Sequence, residues 1–193
     1  DGAVLIDSGH VVHAEQTVAL LRRALGGARL ERLLNTHLHS DHCGGNAALV
    51  AAFGPLPTAV PAGRFDAVRR WDEAALGYRD VGQRCARYAA DEALVPGSHV
   101  TLGGRPWAVI AAPGHDPDAV MLFDARHGLL VTGDALWENG FGVVFPELDG
   151  EDAFDEVAAV LALIERLPVA AVVPGHGAPF ADVPGALARA RSR

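Results

Sequence analysis

Thr36-His37-Leu38-His39-Ser40-Asp41-His42-Cys43-Gly44-Gly45 gathers imidazole and carboxylate groups more densely than any other part of this 193-residue chain. His37 and His39 are two residues apart, so an extended backbone points both the same way. Asp41 and His42 are adjacent, and a turn sends them toward a second position. Such donors hold divalent cations at about 2.0–2.2 Å; Zn²⁺ suits them well, and Fe²⁺ and Mn²⁺ accept similar sets.

Three later positions echo this run: His115 after Gly114, Asp134 after Gly133 and His176 after Gly175. Each follows a short apolar run that reads as a strand, namely Trp107–Ala112, Leu129–Thr132 and Ala171–Val173, while Arg32–Thr36 leads into His37. Ligands just beyond strand ends converge at one rim of a sheet, and the glycines let backbone pass close to a crowded centre. The spacing predicts His37, His39 and His115 on one cation, Asp41, His42 and His176 on the other, and Asp134 bridging both. Two cations so held generate hydroxide at neutral pH, and Asp41 is placed to orient that nucleophile and accept its proton.

Other polar residues have two readings each. Asp7, ending the apolar run Val4-Leu5-Ile6, either orients a ligand imidazole or accepts turn N–H bonds. Cys43 reads as a small buried packing residue, and His10, His13, His99 and His127 as surface or core-edge groups. Trp137, Phe141 and Phe145 either wall a pocket, with Glu138 and Asn139 at its rim, or pack the fold.

Outside the ligand runs, apolar stretches alternate with helical patterns, the mark of an α/β protein. Further strands are expected at Val4–Asp7 and Val120–Asp124, with weaker ones at Thr58–Val60 and Val100–Leu102. Helices are expected at Ala14–Leu25, Gly45–Phe53 and Asp152–Leu167; the last carries Phe154, Val157, Val160, Leu161, Ile164 and Leu167 at helical spacing. From about residue 62 to 95 the texture changes: Arg64, Arg69, Arg70, Arg79, Arg84 and Arg87 are interleaved with Phe65, Trp71, Tyr78 and Tyr88. One or two amphipathic helices inserted in a single domain spanning 1–193 are expected here, with a solvated helical face whose aromatics cover core as the plainer reading. Because Asp1-Gly2 leads straight into a strand, further N-terminal edge strands are expected upstream.

Composition narrows the partners. The formal net charge is −8, from 16 basic and 24 acidic residues, and no basic stripe for nucleic acid is evident. No apolar run is long enough to span a bilayer, and two cysteines make no disulfide framework. The expectation is a cytoplasmic protein acting on a small molecule. Two dications, the carboxylates of Asp41 and Asp134 and one hydroxide sum to about +1, so an anionic substrate is favoured, with Arg69 and Arg70 as a clamp.

The set His37-Leu38-His39-Ser40-Asp41-His42, Gly114-His115, Gly133-Asp134 and Gly175-His176, in that order and with Asp7 before it, resembles the metallo-β-lactamase-fold hydrolases over nearly the whole chain. The resemblance implies a four-layer αβ/βα sandwich with the metals at one edge, and the ligand partition given above with Asp134 bridging. Family members act on β-lactams, thioesters, lactones, nucleic acids and sulfate esters, and some are iron oxygenases, so the fold does not choose the reaction.

Departures from the family pattern refine the expectation. Asp116-Pro117-Asp118-Ala119 follows His115 where many relatives carry Thr-Pro-Gly-His. The helical C-terminal extension that binds glutathione in hydroxyacylglutathione hydrolases is not expected after His176, and Tyr78 and Tyr88 are the candidates for a lactonase-type pocket tyrosine. The leading expectation is attack of a metal-bound hydroxide on an acyl carbon of an ester, thioester, lactone or lactam. Alternatives are a mononuclear iron oxygenase of the persulfide dioxygenase kind and a non-catalytic metal-binding module.

Overall fold

The computed structural model describes residues 2–78 and 82–193; Asp1 and Arg79, both used in the reading above, lie outside the described residues. The chain divides into two compact units, one ending at Leu94 and one running Val95–Arg193.

The first unit contains β1 (Ala3–Ile6), α1 (Ala14–Leu25), β2 (Leu30–Leu34), α2 (Ser40–Cys43), α3 (Asn46–Phe53), β3 (Thr58–Pro61), α4 (Ala62–Arg70) and β4 (Glu92–Leu94). Its sheet runs β1-β2-β3-β4 with every pairing parallel. Parallel neighbours need a crossover rather than a tight turn, so helical segments intervene between strands. Helix α1 stops where Gly26 turns left-handed at φ 54°. Val18 of α1 and Leu49 of α3 bury themselves with Leu30, Leu33 and Leu56. Ile6 pairs with Leu34, so β1 and β2 finish level and Asp7 emerges beside Asn35-Thr36.

Between residues 62 and 95, where one or two helices are expected, the described chain forms one. Only α4 forms, and Trp71 ends it in a left-handed conformation (φ 54°, ψ 52°). The aromatics of this stretch serve the core, as the plainer reading has it. Tyr78 and Tyr88 are buried with Leu38, Cys43, Val60 and Val68, and the Trp71 ring lies 5.5 Å from Tyr88 and 6.1 Å from Tyr78. Burying several aromatics from irregular backbone outweighs the small free energy of extending a helix. Strand β4, not expected from the sequence, closes the sheet at the far end of this stretch.

The second unit contains β5 (His99–Leu102), β6 (Arg105–Ala111), β7 (Val120–Asp124), β8 (Leu129–Gly133), α5 (Phe145–Leu148), α6 (Phe154–Arg166), β9 (Ala171–Pro174) and α7 (Val183–Arg191). Its sheet runs β5-β6-β7-β8-β9; the first three pairings are antiparallel and β8–β9 is parallel. Gly103 and Gly104, both at positive φ, make the two-residue β5–β6 turn that favours such a pair. Helix α6 supplies the crossover from β8 to β9 and buries Val157, Val160, Leu161 and Ile164. Phe154, which shares their spacing, is instead 56% exposed at the first position of the helix. The unpredicted α7 adds Ala186, Leu187 and Ala190 to the same core. No described helix is long and apolar enough to cross a membrane.

Candidate metal centre

In the first unit, the ligand run begins just past the end of β2. Asp7 organises it. Its backbone is left-handed (φ 59°), an uncommon state for a residue with a side chain. Asp7 Oδ1 accepts the Thr36 N–H at 2.9 Å, while Oδ2 accepts the Thr36 hydroxyl at 2.7 Å and meets His42 Nδ1 at 2.9 Å. The Thr36 hydroxyl has one proton, and the carboxylate takes it; its oxygen therefore accepts from His37 Nδ1, 3.1 Å away. Both imidazoles are thereby held with hydrogen on Nδ1 and the lone pair on Nε2, the tautomer that a metal takes.

His37 and His42 are almost fully buried, with ring centroids 4.0 Å apart, and His39 stands 4.6 Å from His37 at 86°. Donor atoms of His37 and His39 come within 4.8 Å of one another, as do those of Asp41 and His42. Asp41 is the most open member, its Oδ2 lying 3.8 Å from His42 Nε2. Below it, the His42 carbonyl receives Ser8 N–H at 2.7 Å and Asn35 Nδ2 at 3.1 Å. Ser8 Oγ donates to Asn46 Oδ1 at 2.6 Å, and Asn46 Nδ2 donates to Asn35 Oδ1 at 2.7 Å. This buried network fixes the turn that carries Asp41 and His42. Gly44 and Gly45 complete it: a Cβ on Gly45 would meet the Ser8 carbonyl, and one on Gly44 would lie 2.6 Å from Val11 N.

In the second unit, Asp134 sits at the centre. Its Oδ2 lies 3.4 Å from His115 Nε2 and 3.5 Å from His176 Nε2. The β8–β9 register, with Gly133 opposite Pro174, brings Asp134 and His176 to the same strand end. His115 Nδ1 donates to the Val143 carbonyl at 2.6 Å, so this imidazole too directs its Nε2 lone pair outward. The loop bearing Val143 is tied back by the Gly142 N–H, which donates to the Asp134 carbonyl at 2.8 Å. A side chain at Gly142 would run into the His115 ring and lie 2.9 Å from Asp134 Cβ.

Side chains offered as pocket or support residues fall out unequally. Trp137 Nε1 donates to Asp134 Oδ1 at 3.2 Å, and its ring stands 5.1 Å from His176 at 79°. Phe145 lies edge-on to His115 at 5.5 Å, whereas Phe141 packs against the core. Arg69 lies over the Phe65 ring at 5.7 Å, and Arg69 and Arg70 are exposed at the end of α4 with no ion pair among the described residues. Tyr78 is 4% exposed, its hydroxyl 3.2 Å from Cys43 Sγ. Burial pushes the Tyr78 and Tyr88 phenols and the Cys43 thiol well above their ordinary ranges.

Thr36, Gly142 and the Val143 carbonyl all escaped the reading of the sequence, as did the Ser8–Asn35–Asn46 network.

Each unit thus presents imidazoles with their Nδ1 hydrogens engaged and a carboxylate among them, donors of the kind that suit divalent cations. The family model for the metallo-beta-lactamase superfamily matches residues 1–176. The chain belongs to this superfamily. It is 34% identical to a hydroxyacylglutathione hydrolase of Anaeromyxobacter dehalogenans, over 98% of this chain and 66% of that protein. It is 28% identical to the acyl-coenzyme A thioesterase MBLAC2 of Gallus gallus, over 73% of this chain and 54% of that protein. The chain therefore spans between about half and two thirds of the length of these relatives. Among solved structures, TTHA1623 in a di-iron-bound form superposes with a TM-score of 0.74 at 26% identity, covering 98% of this chain and 89% of that one. The two-sheet α/β architecture is the metallo-beta-lactamase fold.

Proposed function

We propose that this superfamily member is a metal-dependent hydrolase of small acyl substrates, thioesters foremost, built around two divalent cations. His37, His39 and His115 would hold one, Asp41, His42 and His176 the other, and Asp134 would be shared. The observation that carries the reading is Asp134 Oδ2 standing 3.4 and 3.5 Å from the Nε2 atoms of His115 and His176, which belong to different ligand sets. A single oxygen flanked by members of both sets is what a shared ligand requires.

When bound, such a pair supplies Lewis acidity, lowering the pKa of water toward about 7 and polarising a carbonyl oxygen. The chain's own residues do the positioning. Asp7, Thr36 and the Val143 carbonyl keep hydrogen on the Nδ1 atoms of His42, His37 and His115. Asp41, exposed and close to His42, orients the attacking water and takes its proton. The preference for thioesters draws on the relatives, one named for an acylglutathione and one for acyl-coenzyme A. Zinc is the proposed metal; iron and manganese suit the same donors, and TTHA1623 holds a di-iron centre. Anionic substrates and a cytoplasmic setting belong to the same reading, the latter because two cysteines are too few for a disulfide framework.

The test is a panel of chromogenic thioester, lactone, lactam and phosphodiester substrates against zinc-, manganese- and iron-loaded protein. Thioester turnover that tracks two ions per chain is expected. One iron per chain with oxygen consumption, or turnover indifferent to chelators, would replace this reading with the oxygenase or remove metal dependence altogether.

A further inference from the structure

Trp137 touches the candidate centre in a way that wall-lining does not explain. Its indole N–H, a donor with no acceptor capacity, points at Asp134 Oδ1 from 3.2 Å. The other carboxylate oxygen, Oδ2, is the one that faces His115 and His176. The segment that carries the indole is tied down through its backbone, and the ring has a neighbour besides Asp134. Its backbone N–H donates to the Gly140 carbonyl at 2.7 Å, Arg189 Nε donates to the neighbouring Glu138 carbonyl at 2.8 Å, and the ring stands edge-on to His176. All of these partners lie in the Val95–Arg193 unit.

We infer that Trp137 is a positioning residue: its indole N–H engages Asp134 Oδ1 and so fixes the carboxylate's rotation, presenting Oδ2 to the cation pair. This rests on the shared-ligand reading of Asp134. A carboxylate on a strand end can otherwise rotate about its terminal torsion, which is broad and two-fold, and exchange its oxygens. A donor on one oxygen breaks that equivalence, as outer-shell partners do for ligating groups generally.

The test uses two variants that separate donor from ring. Trp137→Phe keeps an aromatic ring beside His176 and removes the N–H; Trp137→Gln keeps an N–H donor of similar reach and removes the ring. Ions retained per chain against a graded chelator are measured with zinc. The exchange-coupled electron paramagnetic resonance signal is measured with manganese, and melting of the metal-free proteins is followed in parallel. Trp137→Phe should lose about 10- to 100-fold in affinity for at least one ion and show an altered coupling signal, with metal-free melting unchanged. Trp137→Gln should recover most of both. Normal ion retention and coupling in Trp137→Phe, or equal losses in the two variants, would overturn the inference. Unmutated protein that binds no pair of ions would instead defeat the shared-ligand reading, and this inference with it.

Discussion

In the unit ending at Leu94 the candidate ligands follow one another from His37 to His42, whereas in the Val95–Arg193 unit His115, Asp134 and His176 each follow a different strand. The first arrangement is held locally. Asp7 and the buried Ser8–Asn35–Asn46 network grip a single turn by its backbone and by two imidazoles. The second is held at a distance: sheet register sets Asp134 against His176, and one carbonyl from a loop aims His115. Damage should therefore spread differently. A lost hydrogen bond in the first unit loosens several ligands together, while in the second each ligand fails alone unless Asp134 itself is touched.

Asp134→Ala is the largest test of that contrast. It should abolish retention of a cation pair and hydrolysis together, by metal analysis and thioester turnover; retained activity would break the shared-ligand assignment.

Next come the glycines. Gly45→Ala sets a methyl against the Ser8 carbonyl, a backbone atom that cannot rotate aside, and should lower stability by about 1–3 kcal/mol or more in chemical denaturation. Gly142→Ala meets a side-chain ring instead, so its effect should fall on zinc affinity through a displaced His115. Equal loss of stability in both would erase the distinction between the units.

Asp7→Asn probes the local grip more gently. The amide cannot serve Thr36 and His42 as the carboxylate does, and zinc affinity should drop about 10- to 100-fold by competition with a chelator. An affinity matching the unmutated chain would show that Asp7 merely ends a strand.

The smallest effect is one of pH. Burial holds the Tyr78 and Tyr88 phenols neutral above their ordinary range, so the unfolded chain releases those protons first. Stability from these groups is full below the unfolded value of about 10 and falls as pH rises from there toward the folded values. Tyr78→Phe should flatten that alkaline decline in equilibrium unfolding; an unchanged slope would place the titration elsewhere.

What could be read in the sequence follows the same division. Ala14–Leu25 and Val120–Asp124 form as expected, because periodicity and a terminal Gly-Gly or a run of buried residues leave little choice. The ligand run was conspicuous because its donors are consecutive. The stretch from 62 to 95 left the number of helices open, since arginines and aromatics at near-helical intervals look alike whether the rings cover a helix face or reach a core from turns. Thr36, Gly142 and Val143 were invisible for a different reason. Their roles depend on a hydroxyl's single proton, the room beside a ring and a backbone carbonyl, none of which leaves a residue-type signature. Trp137 was visible as an aromatic, but its N–H bond to Asp134 was not.

An anomalous difference map from zinc-loaded crystals puts the main proposal at greatest risk. Two peaks about 3.5–4 Å apart are predicted. One should lie on His37, His39 and His115, the other on Asp41, His42 and His176, with Asp134 reaching both. A lone peak, or two peaks each satisfied by donors from a single unit, would contradict it.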